Sequence, residues 1–156
     1  MRVDYSHVFP AAMKAMSGLE EAVHQSNLEL ELLELVKLRA SQVNGCAYCV
    51  DMHTKDARAM GEDQQRLHLV AVWREAPGFT ARERAALAWC ESLTRLPEND
   101  VPGSLYDEVA GCFSPEEIVA LTLAVVAING WNRFAISLRS PVGGYVSHRR
   151  PRAATP

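Results

Sequence analysis

The chain has 156 residues, 48% of them apolar and 22% charged, with a formal net charge of -3. That length suits one domain able to bury a core without disulfides or structural metal, and the slightly acidic balance offers no global basic field to recruit nucleic acid. The longest apolar run, residues 118–128, contains Thr122 and is too short to cross a bilayer, and the first residues, with Arg2, Asp4 and His7, lack the apolar core of a signal peptide.

These features lead us to expect a cytoplasmic protein without a membrane partner, in a compartment where thiols stay mostly reduced. No repeat and no convincing alternating strand is present. Residues 8–25 read as a first helix opened near Pro10. Ser26 and Asn27 offer an N-cap for a second, over 28–43, whose Leu28, Leu32, Leu35, Val36 and Arg39 share one face. Asn44-Gly45 ends it, as a pair that tolerates the left-handed region. A third helix runs from Cys46 to about Met60 and stops at Gly61. A fourth covers 63–74, before Pro77-Gly78.

Thr80 and Glu83 form a capping box for a fifth helix, 81–95, broken by Pro97 and the polar turn through Asp100. Residues 102–110 make a short sixth. Ser114, Pro115 and Glu117 open a seventh that reaches about Leu138, with Gly130 as an interior weakness. Its 119–128 stretch is apolar nearly all round, which predicts burial on every side, in a core or a subunit interface. The expected architecture is an all-α bundle of about seven helices over residues 1–140, followed by a tail, 141–156. That tail holds three prolines, Gly143-Gly144 and a basic cluster at 148–152, and reads as a flexible or partner-swapped arm.

The chemistry concentrates in C-A-Y-C-V-D-M-H, residues 46–53. On a helix, Cys46, Cys49 and His53 fall within a sector of roughly 60°. Cys49 and His53 are i,i+4 neighbours, and Cys46 and Cys49 are close enough for a disulfide in the first turn. The helix start stabilises a thiolate. A thiolate attacks a peroxide oxygen to give a sulfenic acid, which a second thiol converts to a disulfide. Two cysteines and a helical histidine therefore supply attacker, resolver and proton carrier.

Other readings compete. Cys46, Cys49 and His53, with Glu34 as a fourth ligand, could hold zinc, although zinc motifs usually bring a second Cys/His pair and none is visible. Cys90 and Cys112, without partners at motif spacing, read as ordinary buried small apolar residues. His24 and His68 read as surface or capping residues. Trp73, Trp89 and Trp131 read as core.

The segment L-R-A-S-Q-V-N-G-C-A-Y-C-V-D-M-H-T-K-D-A-R, residues 38–58, resembles the core of the AhpD-like alkylhydroperoxidases of the carboxymuconolactone decarboxylase superfamily. W-R-E at 73–75, F-T-A-R-E-R-A-A-L-A at 79–88 and I-N-G-W-N-R-F-A-I at 128–136 resemble it too. The resemblance implies an all-α fold in a homo-oligomer, commonly a trimer or hexamer. It implies a thiol-dependent peroxidase that needs no cofactor and is reset by a thiol or lipoyl-type reductant.

It further implies that Cys49 is the peroxidatic cysteine, Cys46 the resolving one and His53 the relay histidine. Glu34, twelve positions before Cys46, becomes a relay member that reaches His53 through water, although alone it would read as a surface carboxylate beside Lys37. Tyr48 stands where a better-characterised branch has a relay histidine. A phenol, with an ordinary pKa of about 10, is a poor proton shuttle near neutrality. The decarboxylase branch lacks the C-x-x-C. The helix dipole favours Cys46 as the more acidic thiol and the histidine favours Cys49. Peroxide attack is expected at Cys49, because it needs proton handling, and exchange with an external thiol at Cys46, nearer the helix end. Thiol–disulfide exchange without peroxide is the alternative task for the same residues.

Overall fold

The computed structural model describes residues 1–98 and 100–150, so the predicted basic cluster lies partly, and residues 151–156 wholly, outside the described residues. Among the described residues the chain forms eight α-helices and no strand. The predicted first helix forms as the second, and a single unpredicted turn precedes it. Asp4 caps α1 (Tyr5–Val8) by accepting from the His7 amide, and Phe9 then leaves the helical region ahead of α2 (Pro10–His24), as a residue before proline tends to do.

α3 (Leu30–Asn44) begins from Glu29 and not from Ser26 or Asn27. The Ser26 hydroxyl is engaged elsewhere, donating to the Val23 carbonyl and accepting from the Leu28 amide. Gly45, at φ 70°, ends α3 in the left-handed region that a Cβ disfavours. Cys46 then caps α4 (Ala47–Ala59).

The predicted fourth helix is shorter than expected. α5 (Gln64–Leu69) passes into a 3₁₀ turn at Val70–Val72. Arg84 fixes the chain beyond that turn by donating to the carbonyls of Trp73 and Ala76. Both predicted capping boxes form, Thr80–Glu83 on α6 (Ala81–Thr94) and Ser114–Glu117 on α8 (Pro115–Leu138), with α7 (Gly103–Ala110) between them.

The most enclosed helix is α3. It packs against α4, α6 and α8, and every residue from 32 to 38 is buried, Glu34 and Lys37 included. The expectation of burial all round for 119–128 is corrected, because Val119 and Val126 lie on an exposed face of α8. With 24 residues and a mean hydropathy of 1.4 over its most apolar window, α8 has the length and composition of a membrane-crossing helix, though half of that window is buried in the fold. The expectation that no run reaches that length counted only the unbroken apolar stretch.

A partly buried amide network ties the end of α3 to α8. The Asn44 side chain donates to Asn129 (2.9 Å) and Asn132 (2.8 Å), and Asn132 donates to Ser41 (3.1 Å). The I-N-G-W-N segment thus holds the platform from which the C-x-x-C turn departs.

Replacing Gly45 with alanine forces a Cβ into the left-handed region. We expect a loss of about 1 kcal/mol, from the cost of that conformation for L-residues, read as a lower midpoint in thermal and urea melts with the denaturant slope unchanged.

Candidate active site

The start of α4 places the predicted chemistry. Cys46 is the N-cap and its sulfur accepts from the Cys49 amide (3.3 Å), so both sulfurs sit in the field of the helix N-terminus. The two are joined in a disulfide with their Cα atoms 5.4 Å apart. One turn on, His53 projects from the same face of α4 and is buried.

Its partner comes from α3. His53 Nδ1 and Glu34 Oε2 are 2.7 Å apart. The contact is direct, which corrects the expected water bridge, and Glu34 is 2% exposed, which corrects its reading as a surface carboxylate. Lys37, its neighbour along the chain, is turned elsewhere. Lys37 reaches Glu20 of α2 at 2.5 Å.

The electrostatics fix the direction of the dyad. Burial pushes the Glu34 carboxyl up, but the bond to His53 and the charges of His53, Lys37 and Arg149 outweigh it and leave the group below the ordinary carboxylate range. An ionised carboxylate only accepts, so Nδ1 carries the hydrogen and donates. In the neutral ring Nε2 is then left as an acceptor. That atom is buried and lacks a hydrogen-bond partner among the described residues.

These groups line a cavity of about 310 Å³. α4 contributes Tyr48, Cys49, Met52, His53 and Asp56, and α3 contributes Glu34 and Lys37. Tyr5, Trp131 and Ala135 form an apolar wall, while Glu20, His24 and Arg149 add polar groups. Of the two cysteines Cys49 lines the cavity. Cys46, expected to be the more exposed, is as buried as Cys49, at 1%, because the start of α4 enters the main core. Tyr48 lies at the cavity with its phenol pushed up, first by burial and then by its neighbours Tyr5, Asp51 and Asp56, so it stays protonated.

Cys90 and Cys112 lie outside this site. Cys90 is fully buried and pushed up to about 12 by burial, which leaves it inert. Cys112 is half-buried. Trp73 and Trp89 are core, as expected, but Trp131 is a cavity wall. His24, expected at the surface, also faces the cavity. Its pKa is lowered, by burial first and then by Lys37 and Arg149.

The tail was expected to be a flexible or partner-swapped arm. Its described part lies against its own chain, with Lys55 donating to the carbonyls of Gly143 and Tyr145, and with Tyr145 and Ser147 donating to Asp56. Asp56 had a signal, since it falls three residues after His53 on the same helix face. Arg149 had none that places it here.

Glu34, His53 and Asp56 bring their donor atoms within 4.8 Å of one another and could in principle hold a cation. The set differs from the expected zinc ligands, because the cysteine sulfurs are paired with each other. Its carboxylate oxygens already accept from His53, Tyr145, Ser147 and Arg149, and a guanidinium occupies the place of a cation. The site therefore fits metal poorly.

The sequence profile of the carboxymuconolactone decarboxylase family matches residues 10–92. The chain belongs to the carboxymuconolactone decarboxylase family. Within it, the chain is 42% identical over 137 residues to the uncharacterized protein YdfG of Bacillus subtilis, covering 88% of this chain and 93% of that one. The solved structure of an Agrobacterium tumefaciens protein of unknown function, with a suggested antioxidant-defence role as an AhpD protein, superimposes with a TM-score of 0.88 at 44% identity, over 92% of this chain and 99% of that one. A Ralstonia eutropha peroxidase-related protein with an alkylhydroperoxidase AhpD core shares the fold, with a TM-score of 0.78 at 19% identity over 90% and 74% of the two chains. The chain is thus an AhpD-like member of the family.

The ionisation of Glu34 has a measurable consequence. A carboxyl whose folded pKa is depressed contributes stability that is present above its unfolded pKa and lost as pH falls through the folded one. From pH 6 to pH 3 the stability of the wild type relative to Glu34→Gln is expected to fall. Urea melts of the two proteins across that range measure it; a pH-independent difference would mean that the fold does not depress the Glu34 pKa, and a difference that grows as pH falls would mean that the fold holds the carboxyl protonated.

Proposed function

We propose that this AhpD-like protein is a thiol-dependent peroxidase of antioxidant defence, reducing hydroperoxides at Cys49. The observation that carries the reading is a cavity-lining cysteine paired with a second thiol, one helical turn from a histidine whose Nδ1 is held by a buried carboxylate. In the reduced protein, His53 Nε2 takes the Cys49 proton. The thiolate attacks the terminal peroxide oxygen, the O–O bond breaks, and the departing alkoxide takes the proton from His53 and leaves as an alcohol. Cys49 is then a sulfenic acid. The Cys46 thiol displaces its hydroxyl as water and closes the disulfide. Two electrons and two protons from a thiol or lipoyl-type reductant reset the pair.

Tyr48, protonated and at the cavity, serves as a hydrogen-bond donor and not as a shuttle, so proton traffic runs through His53 and Glu34. The apolar wall of Tyr5, Trp131 and Ala135, with Met52 beside it, favours an organic hydroperoxide over hydrogen peroxide. Because Cys46 is buried, exchange there with a reductant requires the first turn of α4 to open. The exposed apolar face of α8, with Val119 and Val126, supports a homo-oligomer such as a trimer or hexamer. We place the protein in the cytoplasm, where such reductants are available.

Stopped-flow oxidation of the reduced protein by hydrogen peroxide and by an organic hydroperoxide, followed by thiol counting, tests this. Cys49→Ser is expected to abolish peroxide consumption, and Cys46→Ser to consume one equivalent without turnover. Full turnover by Cys49→Ser, or turnover with disulfide substrates alone, defeats the reading.

A further inference from the structure

The described tail is built as a strap along α4 that ends at the cavity with Arg149. It is anchored on the outer side of the helix that carries Cys49 and His53. Lys55, itself paired with Asp51 (2.8 Å), donates to the carbonyls of Gly143 (3.1 Å) and Tyr145 (3.0 Å), and the Gly143 amide donates to Asp51 (3.3 Å). The strap then turns inward. The Tyr145 and Ser147 hydroxyls donate to the buried Asp56 at 2.8 and 2.6 Å, and the Ser147 hydroxyl accepts from the Arg149 amide at 3.1 Å. These contacts fix where the Arg149 side chain emerges. Its Nη2 lies 3.4 Å from Glu34 Oε1 and 3.3 Å from His24 Nε2.

Glu34 is buried and has two carboxylate oxygens to satisfy. His53 occupies Oε2, and Oε1 faces Arg149. The other nearby cation, Lys37, is committed to Glu20, and His24 is driven toward its neutral form by burial and by the charges of Lys37 and Arg149. The guanidinium is therefore the charge set against the oxygen that the histidine leaves open.

We infer that the strap delivers Arg149 into the site as a positioning residue, which keeps Glu34 ionised and turned toward His53. The consequence for peroxide chemistry rests on the proposed function, but the mechanism can be tested without it. If Glu34 gained a proton or rotated, Nδ1 would lose its acceptor, the imidazole would be free to change tautomer, and Nε2 would no longer be reserved for the Cys49 proton.

The readout is the pH dependence of Cys49 alkylation by iodoacetamide in the reduced protein, in a Cys46→Ser background, followed by mass spectrometry of the peptide that carries Cys49. The charged and titratable groups facing Glu34 are Glu20 and His24 from α2, Lys37 from α3, His53 and Asp56 from α4, and Tyr145 and Arg149 from the strap. Removing the guanidinium raises the proton affinity of the carboxyl it faces, Glu34. Arg149→Met is therefore expected to move the acid limb up by about one pH unit, the size of effect an adjacent cation has on a carboxyl, and Arg149→Lys is expected to restore much of it. In a Glu34→Gln background Arg149→Met is expected to add no further shift.

A loss of stability alone would lower the melting temperature and leave the limb in place. An unchanged limb in folded Arg149→Met, or an equal shift with and without Glu34, overturns the inference. A wild-type protein that consumes no hydroperoxide yet shows the shift defeats the proposed function and leaves the positioning role standing.

Discussion

A carboxylate removed from water has to find its charge partners within the protein, or it gives up its charge. Glu34 sits in the middle of the most enclosed helix, so its ionised form depends on what the neighbouring elements bring to it. The His53 imidazole comes from α4 and the Arg149 guanidinium from the strap, with Lys37 one turn along α3. The direction of the histidine, with Nδ1 turned to the carboxylate and Nε2 left unpartnered among the described residues, follows from that single buried charge. The arrangement also ties folding to chemistry, since α3 and α4 cannot separate without stranding the carboxylate.

The C-x-x-C turn is placed by backbone chemistry. Gly45 reverses the chain within one residue, Cys46 caps the next helix, and the cysteine pair falls in its first turn, where unpaired amides favour negative charge on sulfur. The Asn44, Asn129 and Asn132 amides fasten the residue before that reversal to α8. The long apolar helix therefore does more than fill the core, because it sets the height at which the turn meets the cavity wall formed by Trp131 and Ala135.

Much of this was legible in the chain itself. Capping boxes at Thr80 and Ser114, the helix stop at Asn44-Gly45 and the shared face of Cys46, Cys49 and His53 depend on residues a few positions apart, where local geometry dominates. Errors arose where a distant partner decides. Ser26 is a good N-cap that turned its hydroxyl to the Val23 carbonyl. The face of α8 with Val119 and Val126 is as apolar as its buried side, and sequence hydropathy cannot tell a face that meets α3 from one that meets nothing in this chain.

By itself the sequence determined an all-α fold, the family, and the pairing of two cysteines with a histidine, because periodicity, caps and i,i+3 or i,i+4 spacing act over a single helix. The tertiary structure decided which groups were buried together. It made Glu34 an interior charge in direct contact with His53, turned Lys37 toward Glu20, buried Cys46 and brought Cys49 to a cavity. It also folded a basic tail back over residues about a hundred positions earlier. Those outcomes rest on contacts between segments remote in the chain, and the cost of leaving a buried charge or hydrogen-bonding group without a partner selects among them.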